Sequence, residues 1–240
     1  MIFLKILDSK IRVVGFKLKM LICESYLLIT LDESKGKNYL RAGIAKDECF
    51  AGAWIMDLFL RRKVSIEGKK LSVVDINSTG DKYLDEILSI LNDSKMTHKT
   101  RYWIRILSFQ HKITIYDLIL KRLESQGVLK FEKESFLKIF KRWGYFFFQP
   151  EVKQSLVEQI RNVIINNLDP DINLLCLLSL LKISRLIKVY IPKEYRKVAK
   201  YRIDELIRFG KYDPKHLEMI VSIRKAIKDA LSGGAPYIPI

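Results

Sequence analysis

Apolar positions recur at helical spacing along most of this chain and switch to strict alternation in only a few short stretches. Between Asp47 and Lys63, Phe50, Trp54, Ile55, Leu58 and Phe59 fall on one stripe. Small Ala51, Gly52 and Ala53 lie among them, which predicts a helix able to pack closely against its neighbours. Val64-Ser65-Ile66 and Leu71-Ser72-Val73 then alternate around Glu67-Gly68-Lys69-Lys70, the pattern of a β-hairpin. Ser78-Thr79-Gly80-Asp81 opens a helix that ends near Asn92, and Thr97 is the expected cap of another carrying Trp103, Ile104 and Leu107. A helix over about 112–126 stops at Gly127. Residues 128–131 and 136–148 are the expected strands of a second hairpin. Pro150, Pro192 and Pro214 each open a further helix. The stretch 174–189 is apolar nearly all round, which places a helix at the centre of a bundle. Upstream, 20–31 is an apolar segment ending in a polar turn at 32–37.

No Ser/Gly-rich linker and no repeat divides the chain. The fold expected is mainly α: a single helical-bundle domain over 1–240 with a buried central helix and two small β-hairpins. A composition of 49% hydrophobic and 29% charged residues is that of a folded globular chain.

Charge narrows the function classes. Lys and Arg number 43 against 27 Asp and Glu, a net charge of +16, so the surface should attract polyanions: nucleic acid or an anionic bilayer. The best apolar run, 174–183, is too short to span a bilayer, which takes about 20 residues. Lys5, Asp8 and Lys10 interrupt the apolar N-terminus before a signal-peptide core forms. Ile2 and the lack of a C-terminal prenylation Cys leave no lipid-anchor motif. Membrane contact is therefore expected to be peripheral. Cys23, Cys49 and Cys176 lie far apart and, with three histidines, offer no zinc spacing, so a reducing cytosolic setting and no cofactor or metal are expected. No nucleophile elbow, phosphate loop or His-Glu-x-x-His is present, and the chain reads as non-enzymatic.

Two surfaces carry candidate membrane chemistry. Nine large apolar side chains crowd the thirteen residues 136–148, Phe136, Leu137, Phe140, Trp143, Tyr145 and Phe146 among them, with Lys138, Lys141 and Arg142 interleaved. The run 145–148 puts aromatics on both faces of a hairpin, more than one buried face can take up. Rings at headgroup depth beside cations suit a bilayer interface, and the same excess suits self-association. Lys193, Arg196, Lys197 and Lys200 share much of one helical face, and Arg61, Arg62 and Lys63 with Lys69-Lys70 bracket the first hairpin.

Several segments, in consistent order over 20–231, resemble the Golgi phosphoprotein 3 family. They are Ala51-Gly52-Ala53-Trp54-Ile55-Met56-Asp57-Leu58-Phe59-Leu60-Arg61-Arg62-Lys63-Val64, Ser78-Thr79-Gly80-Asp81 with Leu84-Asp85-Glu86, Trp103-Ile104-Arg105-Ile106-Leu107-Ser108, Leu123-Glu124-Ser125-Gln126-Gly127, and Pro192-Lys193-Glu194. The resemblance implies a helical fold, no enzymatic activity and reversible binding to acidic phospholipids on the cytosolic face of a membrane. That membrane is the Golgi, or the plasma membrane where the host has no Golgi. A protein cargo or coat partner and membrane insertion or self-association through the second hairpin are also implied. In the family a Trp, an Arg and two basic residues three apart hold the headgroup phosphate. The matching positions here are Ala42, Ala51, Ile113 and Tyr116, none basic, with Arg41, Lys46, His111 and Lys112 as neighbouring substitutes. Binding is accordingly expected to follow general bilayer charge. The rival reading is a winged-helix nucleic-acid binder, with 115–127 as recognition helix and the hairpin as wing. It is the weaker one, because only Lys121, Arg122 and Gln126 would reach base edges.

Overall fold

In the computed structural model, which describes residues 20–32, 37–38, 45–94, 97–136, 140–147 and 149–232 (backbone alone at 37–38, 131–136 and 140–147), the first apolar segment is a helix. This helix, α1 (Ile22–Thr30), has all nine residues buried. Nine residues are too few for a helix to persist alone, so packing and end-capping must hold it. Asp57 reaches in from the next helix and accepts the amide hydrogens of Ile22 (3.0 Å) and Cys23 (3.1 Å), while Glu24 accepts that of Leu21 (2.7 Å). At the other end, Lys153 Nζ donates to Leu31 O (2.6 Å) and the Tyr190 hydroxyl to Ile29 O (2.6 Å). Carboxylates thus sit at the amino end and an ammonium at the carboxyl end, the arrangement the helix dipole favours.

The second helix, α2 (Lys46–Leu60), is buried from Cys49 to Leu58. It packs against α1, α3 (Lys82–Asp93), α4 (Thr100–Phe109), α5 (Lys112–Ser125), α7 (Ile172–Ile183) and α10 (Pro214–Ser232). A Cβ on Gly52 would stand 2.9 Å from Ile227 Cδ1 and 3.1 Å from Ile223 Cγ2, so the small residues expected to allow close packing do so against α10. The centre is therefore shared between α2 and α7, and α7 is shorter than the apolar pattern predicts. It ends at Ile183, Arg185 takes a left-handed backbone (φ 60°), and α8 (Ile187–Tyr190) follows. Ser184 Oγ donates back to Leu180 O (3.0 Å), the local competition by which a serine loosens a helix end.

The first hairpin, β3 (Val64–Glu67) and β4 (Lys70–Val73), gains a third strand, β5 (His98–Lys99), after the small ladder of β1 (Leu31–Asp32) and β2 (Lys37–Asn38) upstream. Thr97 is thus not the cap of α4. The chain is still extended there, Leu71 pairs with His98 and Lys70 with Lys99, and the helix begins at Thr100. Thr100 N–H and Oγ1–H both donate to Lys69 O (2.7 and 3.2 Å), which fixes the point where strand becomes helix.

The long hairpin is β6 (Leu129–Phe136) with β7 (Phe140–Phe147), in register from Leu129↔Phe147 to Phe136↔Phe140. The first strand therefore runs on through 132–135 to Phe136, which was expected to open the second strand and instead pairs with its first residue, Phe140. Glu132–Ser135 are all polar and so carry no alternation to mark a strand, but none of them is a Gly, Pro, Asn or Asp that would break one. The remaining elements are α6 (Pro150–Ile165), a 3-10 turn (Lys193–Tyr195), α9 (Arg196–Phe209) and α10, so Pro192 opens a 3-10 turn before the α-helix it was expected to start. The buried apolar residues form one continuous cluster. Among the described residues no helix is long and apolar enough to cross a membrane.

Candidate functional site

A buried polar cluster fixes how the surface elements sit. Arg122 of α5 lies with its Nε 2.8 Å from Glu24 Oε1, an ion pair without an aligned hydrogen bond, and its Nη1 pairs with Asp81. Asp81 is the N-cap of α3, accepting from Tyr83 N–H (3.1 Å) and Leu84 N–H (3.4 Å), as the Ser-Thr-Gly-Asp pattern predicts. Burial pushes the Glu24 carboxyl up to about 7, against the pull of Arg122 and the Leu21 amide. Burial also pushes Asp57 up to about 6, against the Ile22 and Cys23 amides. Apart from the Asp81 cap, none of these roles was visible in the sequence, where Arg122 counted as a donor to base edges. Burial raises all three thiols as well, Cys49 to about 12, so no cysteine here is a ready nucleophile.

The structure brings three of the predicted headgroup residues together where α2 and α5 begin side by side. Lys46 Nζ lies 5.3 Å from the Tyr116 ring centroid, and Tyr116 meets Phe50 edge-on at 5.5 Å. Both lysines are answered by one acid: Lys112 Nζ is 2.6 Å and Lys46 Nζ 3.6 Å from the Asp47 carboxylate. His111 caps α5 by position, with no side-chain hydrogen bond to the helix, and Arg41 lies outside the described residues. Ala51 is fully buried, whereas Ile113 is 77% and Phe109 60% exposed at this corner. The corner therefore presents apolar side chains more openly than it presents unpaired positive charge.

The basic residues near the first hairpin divide. Lys63 is buried, its Nζ 2.5 Å from Asp75 Oδ2 and 2.8 Å from Asn77 O, so its assignment to the basic surface is corrected. Arg61 donates to Asp57 O (3.1 Å) and closes the end of α2, and the left-handed Arg62 (φ 58°) is exposed. Along α9, Arg196 is half-buried with Nε donating to Ile191 O (3.3 Å), a structural contact and not part of a free face. Lys193, Lys197 and Lys200 are exposed and form no ion pair among the described residues. Helical spacing places Lys197, Val198, Tyr201, Arg208 and Phe209 on one outward arc. Val198 is 49%, Tyr201 67% and Phe209 79% exposed. Sequence reading found the lysines and missed the rings, although the i, i+3 spacing of Val198 and Tyr201 was a usable signal. Leu137 lies outside the described residues, and for Phe136, Phe140, Trp143, Tyr145 and Phe146 the backbone alone is described. The register sets Trp143 opposite Lys133 and Tyr145 opposite Phe131.

Fold and surface together define a mainly α-helical protein whose exterior combines unpaired cations with exposed aromatic and aliphatic side chains. A sequence model of Golgi phosphoprotein 3 matches residues 22–230, and the chain belongs to that family. The family is one of Golgi-associated trafficking proteins that attach peripherally and act without enzymatic chemistry.

Proposed function

We propose that this protein is a membrane-surface adaptor that binds anionic phospholipid headgroups by bilayer charge density and is not an enzyme. The observation that carries the reading is the outer arc of α9, where Lys197 and Arg208, with Lys200 at the edge, run beside exposed Tyr201, Val198 and Phe209. Each basic residue near an anionic surface contributes about 1 kcal/mol, and rings at headgroup depth lengthen residence. The corner where α2 and α5 start adds exposed Ile113 and Phe109. Because Asp47 offsets Lys46 and Lys112, that corner favours insertion over selective capture of one phosphorylated headgroup. The aromatic hairpin over 136–148 is the second proposed membrane or self-association element, and cargo or coat proteins are the proposed partners on the side facing the cytosol.

Liposome flotation at physiological salt tests the reading. Binding should rise with phosphatidylserine content and show little preference between phosphatidylserine and phosphatidylglycerol, both diesters, at equal charge. A DNA mobility shift run beside it tests the nucleic-acid alternative. That alternative is disfavoured by α5, whose Ile115, Ile119 and Leu123 are buried and whose Arg122 is held by Glu24 and Asp81.

A further inference from the structure

A cleft of about 290 Å³ lies between the β3–β4 turn, the start of α4 and the outer side of α10. It is away from both α9 and the corner where α2 and α5 begin. Four cations from three elements line it: Lys69 from the turn, Lys99 and Arg101 from the β5–α4 junction, and Lys225 from α10. Asp229 is the one acid in the lining, and among the described residues none of these five side chains is in an ion pair. The turn's own acceptors are already used, Lys69 O by Thr100 and Gly68 O by Ser222 Oγ–H (3.4 Å). Apart from the Asp229 carboxylate, what the polar edge offers is therefore donors and positive charge. The strand register sets Lys70 between Glu67 on β3 and Lys99 on β5, so Glu67 is the ladder's one acid against two lysines. The inner wall is apolar, formed by Val221, Ala226 and lysine methylenes. The amino end of the ten-residue α4, which no side chain caps, reinforces the positive potential.

We infer that this cleft binds a phosphate monoester, with the phosphate among Lys69, Lys99, Arg101 and Lys225 and the esterified group against Val221 and Ala226. A monoester carries about −1.5 to −2 charges and three acceptor oxygens, which matches several converging cations better than a singly charged diester does. The size suits a small organic phosphate, at the lower end of ligand sites. The inference stands apart from the charge-density reading, which places membrane contact on other surfaces.

The test is calorimetric titration of the intact protein with sn-glycerol 3-phosphate and, as a diester control, dimethyl phosphate. Saturable binding of the monoester that is roughly tenfold weaker in Arg101→Ala/Lys225→Ala, with Lys197→Ala/Lys200→Ala unchanged, is the expected result. Both pairs of residues are exposed, so circular dichroism should show all variants folded. Phosphatidic acid vesicles set against phosphatidylglycerol vesicles of matched charge distinguish the sources. A preference for the former that glycerol 3-phosphate competes away assigns the site to a lipid headgroup, and monoester binding without that preference assigns it to a soluble ester. No saturable monoester binding, equal affinity for the diester, or an equal loss in the Lys197/Lys200 control overturns the inference. A failure of general liposome binding with monoester binding retained would count against the membrane reading alone.

Discussion

Asp57 accepts two amide hydrogens from the first turn of a helix with which it shares no local sequence, and it does so fully buried. Replacing it by Ala would leave both donors in a dry interior, at a cost of about 2–4 kcal/mol, measurable as a lower denaturation midpoint with an unchanged slope. Its titration gives a second test. The folded-state values of Asp57, about 6, and Glu24, about 7, are raised above those of an unfolded chain. The folded state therefore holds these protons more tightly. The stability they contribute is fully present below the unfolded values near 4 and is lost as pH rises through about 6 to 7. Asp57→Asn should reduce the fall in stability between pH 5 and 7 relative to the natural protein, as read from urea unfolding at each pH. An unaltered profile would mean that Asp57 is ionised throughout this range.

At the scale of elements, α9 and the long hairpin make separable claims. Val198→Ser/Tyr201→Ser changes two exposed side chains, so folding stability should move by less than about 0.5 kcal/mol. Liposome binding should nevertheless fall about tenfold or more, because burying one such side chain contributes roughly 1.5–3 kcal/mol and about 1.4 kcal/mol is a factor of ten. Unchanged flotation would remove α9 from the interface. In the hairpin, the surplus of apolar residues over 136–148 is of a kind monomeric proteins seldom leave in water. Trp143→Ser/Phe146→Ser should lower liposome binding or the dimer fraction seen by light scattering, with helical content retained. Loss of the helical signal in circular dichroism would instead make the hairpin part of the core.

For the whole molecule, the proposed membrane reading assigns the range of attraction to the net charge of +16 and its persistence to the exposed α9 side chains. Raising salt from about 0.1 to about 1 M shortens the screening length from about 10 to about 3 Å. The bound fraction on phosphatidylserine vesicles should then drop several-fold, leaving a salt-resistant remainder that the Val198/Tyr201 double variant abolishes. Binding indifferent to salt would point to insertion alone.

Periodicity was enough to place most elements, because a 3.6-residue apolar stripe such as Phe50–Trp54–Leu58 or a two-residue alternation such as Val64–Ile66 is a local property of the chain. Charge was legible for the same reason: it is additive, and Lys197 and Lys200 had to go somewhere wet. The short helix α1 was not legible, because nine residues buried all round carry no stripe and their stability comes from Asp57, Lys153 and Tyr190, far away in sequence. Nor could order along the chain reveal that Lys63 is spent on Asp75 and Arg122 on Glu24, or that Asp47 answers two lysines at the matched headgroup corner. The charged groups were countable from the sequence. Which of them remain unpaired was decided only by the folding of distant segments into contact, since whether a cation meets a carboxylate or water depends on the neighbours that tertiary packing supplies.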